Sequence, residues 1–96
     1  MLTSIDHIVL TASDMDKTIS FYCDVLGMTL EDFTPSDGGE VRKSLKFGNQ
    51  KINLHQEKSP YKPHANNPVS GAVDICFLSS TTIGEWQNIF SEKNIE

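Results

Sequence analysis

Four polar side chains stand in runs that otherwise read as buried strands: His7 in IDHIVLT, Asn53 and His55 in KINLHQ, and Asp74 in AVDICFLS. Strand alternation puts Ile5, His7, Val9 and Thr11 on one face and Asp6, Ile8, Leu10 and Ala12 on the other. Both faces are largely apolar, so the His7 imidazole is expected to point into an enclosed space. Taken alone, a histidine there is a hydrogen-bonded core residue. In KINLHQ, Ile52 and Leu54 face one way while Asn53 and His55 face the other; in AVDICFLS, Asp74 shares a face with Cys76 and Leu78. A carboxylate in such a strand is costly unless it is ion-paired, protonated or bound to a metal.

These side chains need elements to hold them. After the first run, TASDMDKTISFYCDVLGM offers Ser13 or Asp14 as a helix N-cap and Gly27 as its terminator. Met15, Thr18, Ile19, Tyr22, Val25 and Leu26 recur between them as one apolar stripe that should pack on the sheet, and Phe21 and Tyr22 read as core aromatics. Three strand-like runs follow, at 28–34, 41–48 and 51–56, separated by the turn signals SDGG (36–39) and Gly48-Asn49. They predict an antiparallel meander, giving the order β-α-β-β-β. The proline-rich QEKSPYKPHANNPVSG is a long connection, with His64 a solvated loop residue. A further strand over 72–79 leads into SSTTIGEWQNIFSEKNIE, where Ser/Thr caps, Glu85 and the spacing of Ile83, Trp86, Ile89 and Phe90 predict a helix. The chain therefore restarts as β-α, with a polar residue third in both IDH and AVD, a weak internal repeat whose second copy stops after its helix.

With 96 residues the chain is one small domain of limited burial, for which a partner subunit would add stability. Its net charge of −5, with acidic and basic residues interspersed, gives no footprint for nucleic acid. The densest basic stretch is Arg42, Lys43 and Lys46; Arg42 and Lys46 share one strand face and Lys43 lies opposite, which reads as a solvated strand. Cys23 and Cys76 show neither CxxC spacing nor a disulfide framework, so buried, reduced thiols are expected. Without a signal-peptide pattern or an apolar run of membrane-spanning length, the expected location is cytoplasmic.

The segments DHIVL, TISFYCDVLGM, LKFGNQKINLHQ and PVSGAVDICFLSS together resemble the vicinal oxygen chelate superfamily, which includes glyoxalase I, fosfomycin-resistance enzymes, extradiol dioxygenases and bleomycin-binding proteins. The FY…LGM signature after an N-terminal histidine strand is the most specific part. KINLHQ and DIC look closest to a small subgroup of glyoxalase-like proteins that includes bacterial ones described as virulence-associated. The resemblance implies an α+β domain of βαβββ modules whose strands curl into an open, cup-shaped mixed sheet around a divalent metal. Residues 1–96 then form a single, incomplete domain: a first module at 5–56, a connecting loop at 57–71, and the start of a second module at 72–96. The family's final ligand, a glutamate on the last strand, falls among three strands that lie outside this sequence.

Residue by residue, the resemblance implies that His7 matches the first-strand ligand and that Asp74 stands where relatives have a fifth-strand histidine. Asn53 aligns with the fourth-strand ligand, and His55 lies two residues on, on the same face. The expected metal set is His7, Asp74 and His55, with Asn53 contacting substrate through its amide, a weak metal donor. Nitrogen and oxygen donors without thiolate suit Fe(II), Mn, Ni, Zn or Mg. An open position on such an ion could take two oxygens of a substrate, stabilise an enediolate or hold a catecholate beside dioxygen. The leading expectation is a metal-dependent lyase or dioxygenase acting on a small oxygen-chelating substrate, its catalytic residues unassigned, working as a homodimer that covers the open sheet edge. The alternatives are a binding protein that sequesters a small molecule without chemistry, and an inactive truncated fragment.

Overall fold

The computed structural model of the chain describes residues 1–36, 38–57 and 69–95. Most of the expected connecting loop, His64 included, lies outside the described residues. Four strands, β1 (Ile8–Ala12), β2 (Thr29–Phe33), β3 (Arg42–Phe47) and β4 (Gln50–Gln56), form one mixed sheet in the order β1-β4-β3-β2. β2, β3 and β4 are the antiparallel meander expected, and β1 joins its β4 edge in parallel. A parallel neighbour requires a crossover, which the helix after β1 supplies. The observed order through residue 56 is the βαβββ module read from the sequence.

Helix α1 (Met15–Ile19) starts where Asp14 caps it, the carboxylate accepting the Lys17 backbone N–H at 3.0 Å. It then widens into a π-helical stretch over Ser20–Val25, where the Leu26 N–H reaches back to the Phe21 carbonyl at 3.1 Å. The expected uniform α-helix is thus corrected over its second half. The apolar stripe still works: Met15, Ile19, Tyr22 and Cys23 pack against the core. Gly27, at φ 82°, ends the helix in the left-handed region that glycine reaches without strain.

That core is one side of the sheet. Leu45 and Ile52 are cross-strand partners, and with Leu10, Met28 and Leu54 they make the buried cluster. The β3–β4 turn fixes this register. Gly48 takes a positive φ of 59°, as the first central residue of a primed two-residue hairpin turn does, which sets Phe47 opposite Gln50.

The 72–79 run departs from the expected strand: it joins no ladder among the described residues. A strand is defined by a backbone partner, and the segment meets β1 only where the Gly71 N–H donates to the Thr11 carbonyl at 3.2 Å. Its side chains still contact the module. Ile75 packs on the core, and the Phe77 ring meets Phe47 edge-on with centroids 5.4 Å apart. Helix α2 (Ile83–Glu92) forms as expected, with Thr82 accepting the Glu85 N–H at 3.2 Å and the Trp86 indole donating to Ser79 Oγ at 3.2 Å. No helix among the described residues is long and apolar enough to cross a membrane.

Candidate functional site

The sheet face opposite the core carries two of the polar side chains singled out above, Asn53 and His55. Ladder partners share a face, so the pairs Val9 with Asn53, Thr11 with His55 and Asn53 with Ser44 place all these side chains on the open side. His55, 7 % exposed, is buried beside the equally enclosed Thr11, and Asn53 is half-buried at the middle of the face.

His7 sits one residue before β1 begins and is exposed, rather than enclosed within a strand as expected. The ladder starts at Ile8 with Ile52, so strand alternation does not constrain Asp6 and His7 to opposite faces. Their side chains meet instead: His7 Nδ1 lies 2.7 Å from Asp6 Oδ2. The His7 hydrogen bond, reinforced by the positive charge of Lys51, holds the Asp6 carboxyl below its ordinary range. An ionised carboxylate only accepts, so Nδ1 donates and Nε2 is left as the basic ring nitrogen. A carboxylate holding the far nitrogen of a histidine is the arrangement that orients imidazole toward a metal ion.

Around His7 the backbone opens into a cavity of about 590 Å³, bounded by Ile5–Ile8, the β3–β4 turn and residues 75–78. Asp74 immediately precedes that last segment and is exposed. The desolvation cost expected of a carboxylate in a buried strand is therefore absent, because the segment is covered on one side only. Cys76 is exposed for the same reason, against the expectation of burial, whereas Cys23 is half-buried and its thiol is pushed up chiefly by burial and further by Asp24. Neither cysteine forms a disulfide.

The structure does not bring His7, His55 and Asp74 together. Thr11, the ladder partner of His55, is four residues beyond His7, a separation of about 13 Å along β1. Among the described residues no three His, Cys, Asp or Glu side chains are grouped closely enough to hold a metal ion. His7, with its Asp6 partner, has the orientation of a metal ligand, and no set of three donors is grouped with it among the described residues.

A second cleft, of about 390 Å³, opens over β2, β3 and β4 at the His55 side of the face. Glu31 and Phe33 line it from β2, Arg42, Ser44 and Lys46 from β3, and Lys51, Asn53 and His55 from β4. Lys46 and Lys51 are direct ladder partners, and Glu31 Oε2 lies 3.5 Å from Lys46 Nζ. Reading 41–48 as an isolated strand misses this gathering of charge. The signal was the Gly48-Asn49 hairpin, whose two-residue loop sets Lys46 opposite Lys51.

Comparison with known proteins fits this geometry. Residues 4–96 match the model of the Glyoxalase/Bleomycin resistance protein/Dioxygenase superfamily. The chain is 45% identical over 85 residues to virulence protein STM3117 of Salmonella typhimurium, covering 88% of this chain and 56% of that protein. It is 44% identical over 93 residues to glyoxalase domain-containing protein RDO1 of Mycosarcoma maydis, covering 97% of this chain and 49% of that protein. It thus spans about half the length of the curated relatives it matches. The crystal structure of STM3117 superposes with a TM-score of 0.84 at 41% identity, over 100% of this chain and 72% of the other. A lactoylglutathione lyase from Agrobacterium tumefaciens superposes with a TM-score of 0.64 at 28% identity, over 99% of this chain and 73% of the other. A matching family model over almost every residue, a βαβββ sheet with a polar open face, and relatives above two-fifths identity converge: the chain belongs to the glyoxalase/bleomycin resistance protein/dioxygenase superfamily.

Proposed function

We propose that this chain serves a metal-dependent lyase or dioxygenase acting on a small oxygen-chelating substrate. Members of the superfamily typically bind a divalent metal and act on small molecules. The observation that carries the reading is the Asp6–His7 bond, which fixes the imidazole with Nε2 as the available donor. His7 and Asp74 would hold the ion, with further donors from outside the described residues; His55, which lines the separate cleft on the open face, is left out of this set. When bound, the ion supplies Lewis acidity to a substrate carbonyl or hydroxyl oxygen. The chain's own part is to orient His7 through Asp6. The name lactoylglutathione lyase, borne by a structural neighbour, supports the lyase side of the reading. Exposure of Ile5, Leu78 and Ile83 supports a second copy of the chain as the partner that covers this side.

Sequestration of a small molecule without chemistry is the second reading, favoured by the lack of a three-donor group among the described residues. Elemental analysis of protein purified without chelator separates the two. The catalytic reading predicts a bound divalent ion in the native chain and its loss in His7→Ala; equal metal content in both, or none in either, rejects it.

A further inference from the structure

Lys51 lines both openings, the cleft over β2, β3 and β4 and the cavity around His7. Its place follows from strand register. β1 and β4 run parallel with Ile8 beside Ile52, so one step back along both chains sets Lys51 alongside His7. Neighbouring strands lie about 4.8 Å apart, well within the reach of an ammonium on a flexible four-carbon stem. Across its other ladder Lys51 faces Lys46, and like charges directly opposite repel. Lys46 meets its counter-charge on the side away from β4, with Nζ 3.5 Å from Glu31 Oε2 on β2. Half-buried Lys51 meets a carboxylate on the opposite side: its positive charge acts on Asp6, just ahead of β1.

We propose that Lys51 is a positioning residue for His7 that acts through Asp6, its ammonium keeping the carboxylate against Nδ1 so that Nε2 faces outward as the bare nitrogen. The Asp6 side chain is 84 % exposed, so packing does little to choose among its staggered rotamers. A cation fixed on the adjacent strand favours the rotamer that turns the carboxylate toward β4, the side on which His7 meets it at 2.7 Å. Without that acceptor a neutral imidazole can carry its proton on either nitrogen, and the hydrogen bond made by one nitrogen decides the state of the other. Lys51 itself needs no contact with the imidazole for this. The strand pairing supplies the cation, Asp6 transmits its effect, and His7 shows it as a choice of tautomer.

The inference rests on the proposed function only for the ion that Nε2 would meet, and its test needs no metal. Chain carrying isotope-labelled histidine is stripped of metal and held at about pH 8.5, roughly two units above the ordinary imidazole value. Long-range proton–nitrogen spectra then report which ring nitrogen of His7 bears the proton, its resonances assigned by their loss in His7→Gln. The native chain should carry it mainly on Nδ1. In Lys51→Gln the ratio of the Nδ1–H to the Nε2–H form should fall roughly two- to five-fold, the weight of an exposed ion pair. Lys51→Arg, which keeps the charge, should restore the ratio, and Lys46→Gln, which removes the lysine paired with Glu31, should leave it unchanged. An unaltered ratio in Lys51→Gln, or an equal fall in Lys51→Arg or Lys46→Gln, would overturn the positioning role. The expected ratios in a chain that takes up no divalent ion would support that role while rejecting the metal-dependent function.

Discussion

His7 and Asp6 make a contact that strand alternation would deny them. Placed one and two positions ahead of β1, they turn toward each other, and their 2.7 Å bond selects which imidazole nitrogen faces outward. Because the bond lowers the Asp6 carboxyl below its ordinary range, it survives as pH falls through ordinary carboxylate titration and is lost only once pH drops through that lowered value. Asp6→Asn removes the acceptor charge while keeping the shape. Metal affinity, measured by competition with a chromophoric chelator, should fall by roughly 10–100-fold, the usual cost of removing a ligand's carboxylate partner. An unchanged affinity would show that Asp6 does not orient a ligand.

At the scale of elements, the hairpin over β3 and β4 organises both faces of the sheet. One register puts Leu45 against Ile52 in the core and Lys46 against Lys51 on the open side. Leu45 is wholly buried, so Leu45→Ala should cost about 2–5 kcal/mol in denaturant unfolding, through lost burial and the cavity left behind. A cost well under 1 kcal/mol would mean that the core sits elsewhere. Most of this layer was legible in the sequence: the Asp14 cap, the Gly27 stop, the Gly48-Asn49 turn and the alternation in KINLHQ are all local signals. What was not legible depended on partners distant in the chain. AVDICFLS has the composition of a strand, but composition cannot supply the ladder neighbour that a strand requires, and the segment docks through Ile75 and Phe77. The π-helical stretch after α1 likewise leaves the apolar stripe readable while altering the hydrogen bonds beneath it.

At the scale of the whole molecule, the described residues leave large apolar side chains uncovered. Ile5, Leu78 and Ile83 stay largely exposed, and Asp74 stands on a segment covered from one side. This openness explains why the candidate site was only partly readable. Asn53 and His55 lie on the open side as alternation implied, whereas His7 precedes the ladder and turns to Asp6, and the chain spans about half of its curated relatives. The charged cleft over β2, β3 and β4, by contrast, needed only the correct pairing of those neighbouring strands.

On the proposed function, His7 holds a divalent ion. A crystal of the chain grown with Mn²⁺ or Zn²⁺ and measured at the metal's absorption edge tests it at the atom concerned. The account predicts an anomalous peak at ordinary coordination distance, about 2.0–2.2 Å, from His7 Nε2, with Asp6 still bonded to Nδ1. A peak bound elsewhere with His7 bare, or no ordered ion at saturating metal, would contradict it.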